Sequence, residues 1–110
     1  MFEIKGNDIY ISRGEATALN VTVYSDGVPW PLDPQEQLLF RVYALCDDST
    51  ILELKSERGL TSFDIKGEHT KNMGNLPMGY TVKLLFADGT EATIIGQTPT
   101  YTPRFYVLEA

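Results

Sequence analysis

The chain predicts an all-β sandwich of about seven to nine antiparallel strands in a single domain, residues 1–110. Three observations carry this expectation. Short runs of alternating apolar and polar residues recur along the chain, separated by Gly, Pro, Asn or Asp. Only residues 67–75 suit a helical turn, and that segment is too short to organise a fold. Residues 76–96 form a β-hairpin pattern whose register can be worked out from the side chains.

Taken in order, residues 2–5 and 8–12 are two short strand-like runs around Gly6-Asn7, a tight-turn pair. Arg13-Gly14-Glu15 then makes a charged corner at which the first strand splits or bends. Residues 17–24 alternate as one strand, with Leu19, Val21 and Val23 facing a core and Ala18, Asn20, Thr22 and Tyr24 facing water. Ser25-Asp26-Gly27 turns the chain. Pro29, Pro31 and Pro34 lack the amide hydrogen a ladder needs, so residues 28–34 are expected as an edge segment or crossing loop.

Residues 38–46 are the most apolar strand. Leu38, Phe40, Val42, Ala44 and Cys46 share one face; Leu39, Arg41, Tyr43 and Leu45 share the other. Both faces are partly apolar, which predicts a central strand with its second face also covered, a neighbouring chain being one candidate for the cover. Cys46, inside this run, is expected to be a buried thiol. Asp47-Asp48-Ser49 ends the strand, and residues 50–55 and 60–66 supply two more.

In the hairpin, Tyr80, Val82, Leu84 and Phe86 alternate before Asp88-Gly89, and the chain returns through Ala92 and Ile94. A two-residue turn would set Leu84 against Thr93, apolar against polar. A three-residue loop, residues 87–89 with Gly89 left-handed, instead pairs Phe86 with Thr90, Leu84 with Ala92 and Val82 with Ile94, and is the expected form. After Gln97-Thr98-Pro99, residues 101–108 make the last strand, placed at an edge by Pro103.

With 110 residues, 43% of them hydrophobic, the chain can bury a core without metal or cross-link. Its net charge of -6, with nine basic residues thinly spread, argues against a nucleic-acid or anionic-membrane partner. One cysteine allows no intrachain disulfide. Residues 1–8 carry neither a basic n-region nor an apolar h-region, so the expectation is no signal-peptide secretion and residence in the cytoplasm unless the chain leaves in an assembly.

Chemistry is sparse. His69, the sole histidine, sits in a polar turn and is expected to be a solvent-exposed loop residue. No spacing suits zinc, Asp47-Asp48 fits a solvated strand end, and no glycine-rich phosphate loop is present. The chain is expected to be non-enzymatic, with no catalytic residue, metal or cofactor assigned. Four residues are candidates for an interaction surface: Trp30, Tyr43, Leu85 and Ile95. Trp30, between prolines, either presents its ring to a sugar or partner or folds it over the core's end. Leu85 and Ile95 fall on the face opposite Val82 and Ile94.

Two resemblances follow from these residues. Leu76-Pro77-Met78-Gly79-Tyr80-Thr81-Val82 resembles the stretch entering a late strand of immunoglobulin-like and fibronectin-like domains, which implies an immunoglobulin-like sandwich. Ile9-Tyr10-Ile11-Ser12-Arg13-Gly14-Glu15, Leu19-Asn20-Val21-Thr22-Val23, Asp26-Gly27 with Pro31-Leu32, Phe40-Arg41-Val42 and Phe86-Ala87-Asp88-Gly89-Thr90 form a second set. In order and spacing they are similar to small β-sandwich proteins encoded among phage and prophage tail and baseplate genes, which resemble the N-terminal domain of upper baseplate proteins. That resemblance implies a virion building block partnered by other tail or baseplate proteins, with a homo-oligomer as a further form, and no catalytic residues. The alternative is an immunoglobulin-like carbohydrate- or surface-binding module using Trp30 and nearby tyrosines.

Overall fold

A computed structural model describes residues 2–109. Among these, eleven strands and one helical turn follow in order: β1 (Phe2–Lys5), β2 (Asp8–Ser12), β3 (Thr17–Asn20), β4 (Tyr24–Ser25), β5 (Val28–Pro29), β6 (Gln37–Ala44), β7 (Thr50–Lys55), β8 (Ser62–Ile65), α1 (Gly67–Thr70), β9 (Met78–Leu85), β10 (Glu91–Ile95) and β11 (Arg104–Leu108). One layer is a seven-stranded sheet in the order β1-β2-β11-β9-β6-β7, with β10 also on β9. The second is the β3–β8 pair, and β4–β5 is a separate two-stranded hairpin. This is the predicted all-β, sandwich-like single domain, with one difference in pairing. It is a mixed sheet, because β11 runs parallel to β2, Phe105 beside Ile9 through Leu108 beside Ser12.

The long central pair places the core. β6 and β9 are antiparallel over eight residues, and Leu38, Phe40, Val42 and Val82 on their inner face have no exposed surface. Phe40 meets Phe63 of the opposite layer at 5.6 Å between ring centroids, and Tyr80 and Phe105 of its own sheet at 5.5 and 6.1 Å. Tilted aromatic contacts at these separations add to the burial of the rings themselves.

The hairpin loop is the three-residue one. Phe86 donates its amide to Thr90, Gly89 has φ 90°, and Leu84 faces Ala92. Further along, the expected register fails: a bulge between Thr93 and Ile95 sets Val82 against Ile95, not Ile94. The extra residue lets β10 follow β9 and still turn inward, and both Ile94 and Ile95 pack against the core.

Other expectations are corrected by the pairing. Residues 17–24 are not one strand; the β3–β8 ladder ends at Asn20 and Ser62, followed only by Val21 N–H to the Thr61 carbonyl at 2.9 Å. The alternation survives, with Leu19, Val21 and Val23 buried. Pro103 does not mark an edge. It stands before β11, where its carbonyl accepts the Tyr80 amide at 3.2 Å and its missing N–H interrupts nothing, so β11 lies between β2 and β9. Cys46 is exposed, because β6 ends at Ala44: Ala44 N–H donates to Ser49 and accepts at its carbonyl from Asp48, both at 2.9 Å, putting residues 45–48 in a turn.

The charged corner becomes a tie-point. The Arg13 guanidinium donates to the Thr70 carbonyl at 3.1 Å, to the Met73 carbonyl and the Asn75 side chain, and meets Glu109 at 3.1 Å. Fully buried Thr70 accepts the Gly14 amide through its hydroxyl at 2.9 Å. The corner after β2, the turn after β8 and the chain's end are thereby held together. His69 is half-buried and belongs to this turn, its Nδ1 accepting the Lys66 amide at 2.9 Å.

Close approach at this corner makes a test. A Cβ on Gly67 would lie 2.5 Å from the Gly14 carbonyl oxygen, whereas one on Gly74 would meet nothing within 4 Å. Gly67→Ala is expected to cost about 1–3 kcal/mol in urea unfolding, as overpacking does, while Gly74→Ala stays near wild type. Equal midpoints for the two variants would contradict the contact.

Candidate interaction surfaces

The four candidate residues occupy separate places. Trp30 is 43% exposed; its amide donates to the Val23 carbonyl at 2.7 Å, so the chain is anchored there while the indole stays outside the core cluster. Tyr43 is buried. Its ring lies over Gly79, the cross-strand neighbour, where an added Cβ would come within 2.4 Å of the ring. The Arg41 guanidinium lies 5.1 Å from the centroid of that ring and also meets Asp48 at 3.8 Å. The second face of β6 is thus covered at Tyr43 from within the chain, while Leu39 and Arg41 stay half-buried and Leu45 exposed. Leu85 is half-buried beside Gln37 and Glu91. Ile95 is turned inward by the bulge and is not on Leu85's face, which corrects the expected pairing of the two on one surface.

Instead, exposed apolar side chains gather at the two ends of β6. At its start, where Gly59 donates its amide to the Glu36 carbonyl, the β4–β5 hairpin carries Tyr24 on one face and Val28, followed by Trp30, on the other, with Pro29 and Pro31 between and after them. The hairpin turns at Asp26 and Gly27, φ 51° and 78°, the left-handed pair that a two-residue turn requires. At the far end of β6, Leu45, Ile51 and Leu76 are exposed around a groove of about 430 Å³ floored by Ala44 and Met78. Leu76 is the most exposed of them, at 79%. Sequence reasoning missed this second group, because its members come from three separate segments: the turn after β6, the start of β7 and the loop before β9. The first was partly legible, since alternation had already put Tyr24 on the wet face.

The outer face of the large sheet carries a second kind of surface. Tyr10 and Tyr106, neighbours across the parallel pair, stack at 4.7 Å and 9°, and Lys5 lies 5.5 Å from the Tyr10 centroid. Beside them, Asp8 accepts hydrogen bonds from the Tyr101 hydroxyl and, at 3.1 Å, the Arg104 amide. The Tyr80 hydroxyl donates to the Asn7 carbonyl. The Asp8 bonds clasp the loop before β11 to the start of β2, and the Tyr80 bond ties β9 to the β1–β2 turn.

Among the described residues, no group of three or more His, Cys, Asp or Glu side chains stands close enough to hold a metal ion. Among the described residues, no helix is long and apolar enough to cross a membrane. No protein-family model matches the chain, and no significant match to a curated protein or a solved structure was found.

The clasp gives an alkaline signature. Its hydrogen bond to Asp8, then desolvation and the nearby charge, push the Tyr101 hydroxyl up to about 12; burial raises Tyr80 further. A phenol whose folded-state value lies above its unfolded value of about 10 contributes stability that is whole below pH 10 and lost as pH rises toward the folded value. Asp8→Ala is expected to bring the Tyr101 ionisation back toward that ordinary value, read as the difference in tyrosinate absorbance between matched proteins with and without Tyr101→Phe. An unchanged difference titration would remove Asp8 as the cause.

Proposed function

We propose that this chain is a non-enzymatic, prophage-derived structural or adaptor module that mediates protein–protein assembly in a phage tail or baseplate, residing in the cytoplasm before assembly and in the virion afterwards. The observation carrying the proposal is the gathering of exposed apolar side chains at opposite ends of β6, Tyr24, Val28 and Trp30 at one and Leu45, Ile51 and Leu76 at the other. Scattered surface hydrophobes are ordinary; clusters are the form that docking surfaces take. Two such ends suit a block joined to more than one neighbour. The ordered motifs from Ile9 to Thr90 supply the tail and baseplate context.

An immunoglobulin-like sandwich is the finer fold in this proposal. It is supported by β3 pairing with β8 in one layer, β6 and β9 central in the other, and β2 parallel to β11. One feature departs from that class: the Tyr80 hydroxyl reaches Asn7 near the chain's start, not backbone a few residues upstream.

A second reading rests on the exposed Trp30 between two prolines, an aromatic ring of the type that stacks on sugar rings. Trp30→Ala would then abolish binding on a glycan array.

Induction of the encoding bacterium's prophages, followed by gradient purification and mass spectrometry of the particles, tests the leading proposal. The chain is expected in the particle fraction, and the double variant Leu45→Ser with Leu76→Ser should be absent from it. Because both side chains are exposed, that variant should keep its stability within about 0.5 kcal/mol per site. Particles formed without the wild-type chain, which stays soluble, would overturn the proposal.

A further inference from the structure

We infer that β7 is a self-complementary edge through which two copies of this chain pair antiparallel about a two-fold axis at Leu54. Among the described residues, β7 hydrogen-bonds to β6 alone and closes one side of the large sheet with an unpaired edge. An open edge is a template for another strand, and proteins usually block it with a proline or a lysine. β7 contains no proline, and its one lysine, Lys55, stands two residues from Glu53.

The backbone decides which residues can pair. Ser56 donates its amide to the Leu38 carbonyl at 2.9 Å, and Leu54 and Leu52 follow in register against Phe40 and Val42. In an antiparallel ladder, alternate residues turn their N–H and C=O to one side, so Glu53 and Lys55 direct theirs to the open edge. The register shift at Val42/Tyr43 leaves Ile51 as the extra residue of a bulge, which confines the regular edge to residues 52–56. Leu54 is the middle of that stretch.

Charge selects the same axis. With the two-fold at Leu54, Glu53 of each copy faces Lys55 of the other on the outer face, giving two ion pairs and, from the same residues, a ladder with both backbone bonds in each pair. An axis at Glu53 sets carboxylate against carboxylate, and an axis at Leu52 leaves Lys55 opposite Ser49 with no acid. Among the described residues neither Glu53 nor Lys55 has an ion-pair partner within the chain. The inner face agrees: Leu54 would meet its own copy beside a cleft of about 390 Å³ lined by Leu54, Leu60 and Phe63 and bordered by Glu57, Asp64 and Lys66. Strand and cleft together hold two basic and three acidic residues, so this side is near balance in a chain of net charge -6, where most other approaches bring two acidic surfaces together.

The inference goes beyond the virion proposal and does not depend on it. A chain absent from particles would leave the edge chemistry unchanged, and a chain that never dimerises would leave the particle experiment standing. Sedimentation equilibrium of the purified full chain tests it. Wild type is expected to show a concentration-dependent dimer, and Glu53→Lys or Lys55→Glu alone, each setting like charges opposite one another, should weaken it at least about tenfold. The double variant Glu53→Lys with Lys55→Glu restores both pairs and should restore the dimer. Matching thermal unfolding of all four proteins, at a dilution where each is monomeric, establishes that the monomer fold is intact. A wild-type monomer up to about 1 mM overturns the inference. So does a dimer that both single variants leave untouched, or one the double variant fails to rescue.

Discussion

Phe40 has no exposed surface, and the two layers of the sandwich meet through it: Phe63 across the interface, Tyr80 and Phe105 along the sheet. Burying one such ring is worth about 1.5–3 kcal/mol, and each aromatic contact adds about 0.5–1.5. Against a net domain stability of about 5–15 kcal/mol, this side chain alone carries a large share. Its position requires that β6 be flanked by β9 and that Phe63 be delivered from β8. The remaining topology serves to satisfy those two conditions.

Around that core the chain is tied by polar groups at places where strands stop. Arg13 gathers backbone carbonyls after α1, Ser56 accepts the Leu38 amide at 2.8 Å, and buried Glu36 accepts the Asp33 amide at 2.9 Å. Among the described residues no buried side-chain nitrogen or oxygen lacks a partner. Such groups would be costly if left unpaired in the interior, so each fixes one loop conformation. Tyr43 does the same for the outer face by filling the space that Gly79 leaves empty.

The surface features proposed to act have a common origin in where ladders end. β6 stops at Ala44, so Leu45 and Cys46 turn outward and join Ile51 and Leu76. Residues 21–23 leave the β3 ladder, so β4 and β5 can fold out with Trp30 after them. Among the described residues β7 has no outer neighbour, so Glu53 and Lys55 face an open edge. Each surface is what remains after a buried face has been satisfied on the other side of the same segment.

Alternation alone determined the all-β class, the inner faces of residues 17–24 and 38–44, the segments β1, β2 and β7 and the three-residue loop after Phe86, because side-chain period and turn chemistry are local. Tertiary structure decided what depends on distant segments. The bulge before Ile95 answers to where β10 must lead, and the central place of β11 answers to β2, some ninety residues away in the chain. Tyr43 read as a surface residue because the sequence does not tell that its cross-strand neighbour is a glycine. Leu45, Ile51 and Leu76 belong to three different segments, and their convergence is set by strand order, which period-two patterning leaves open.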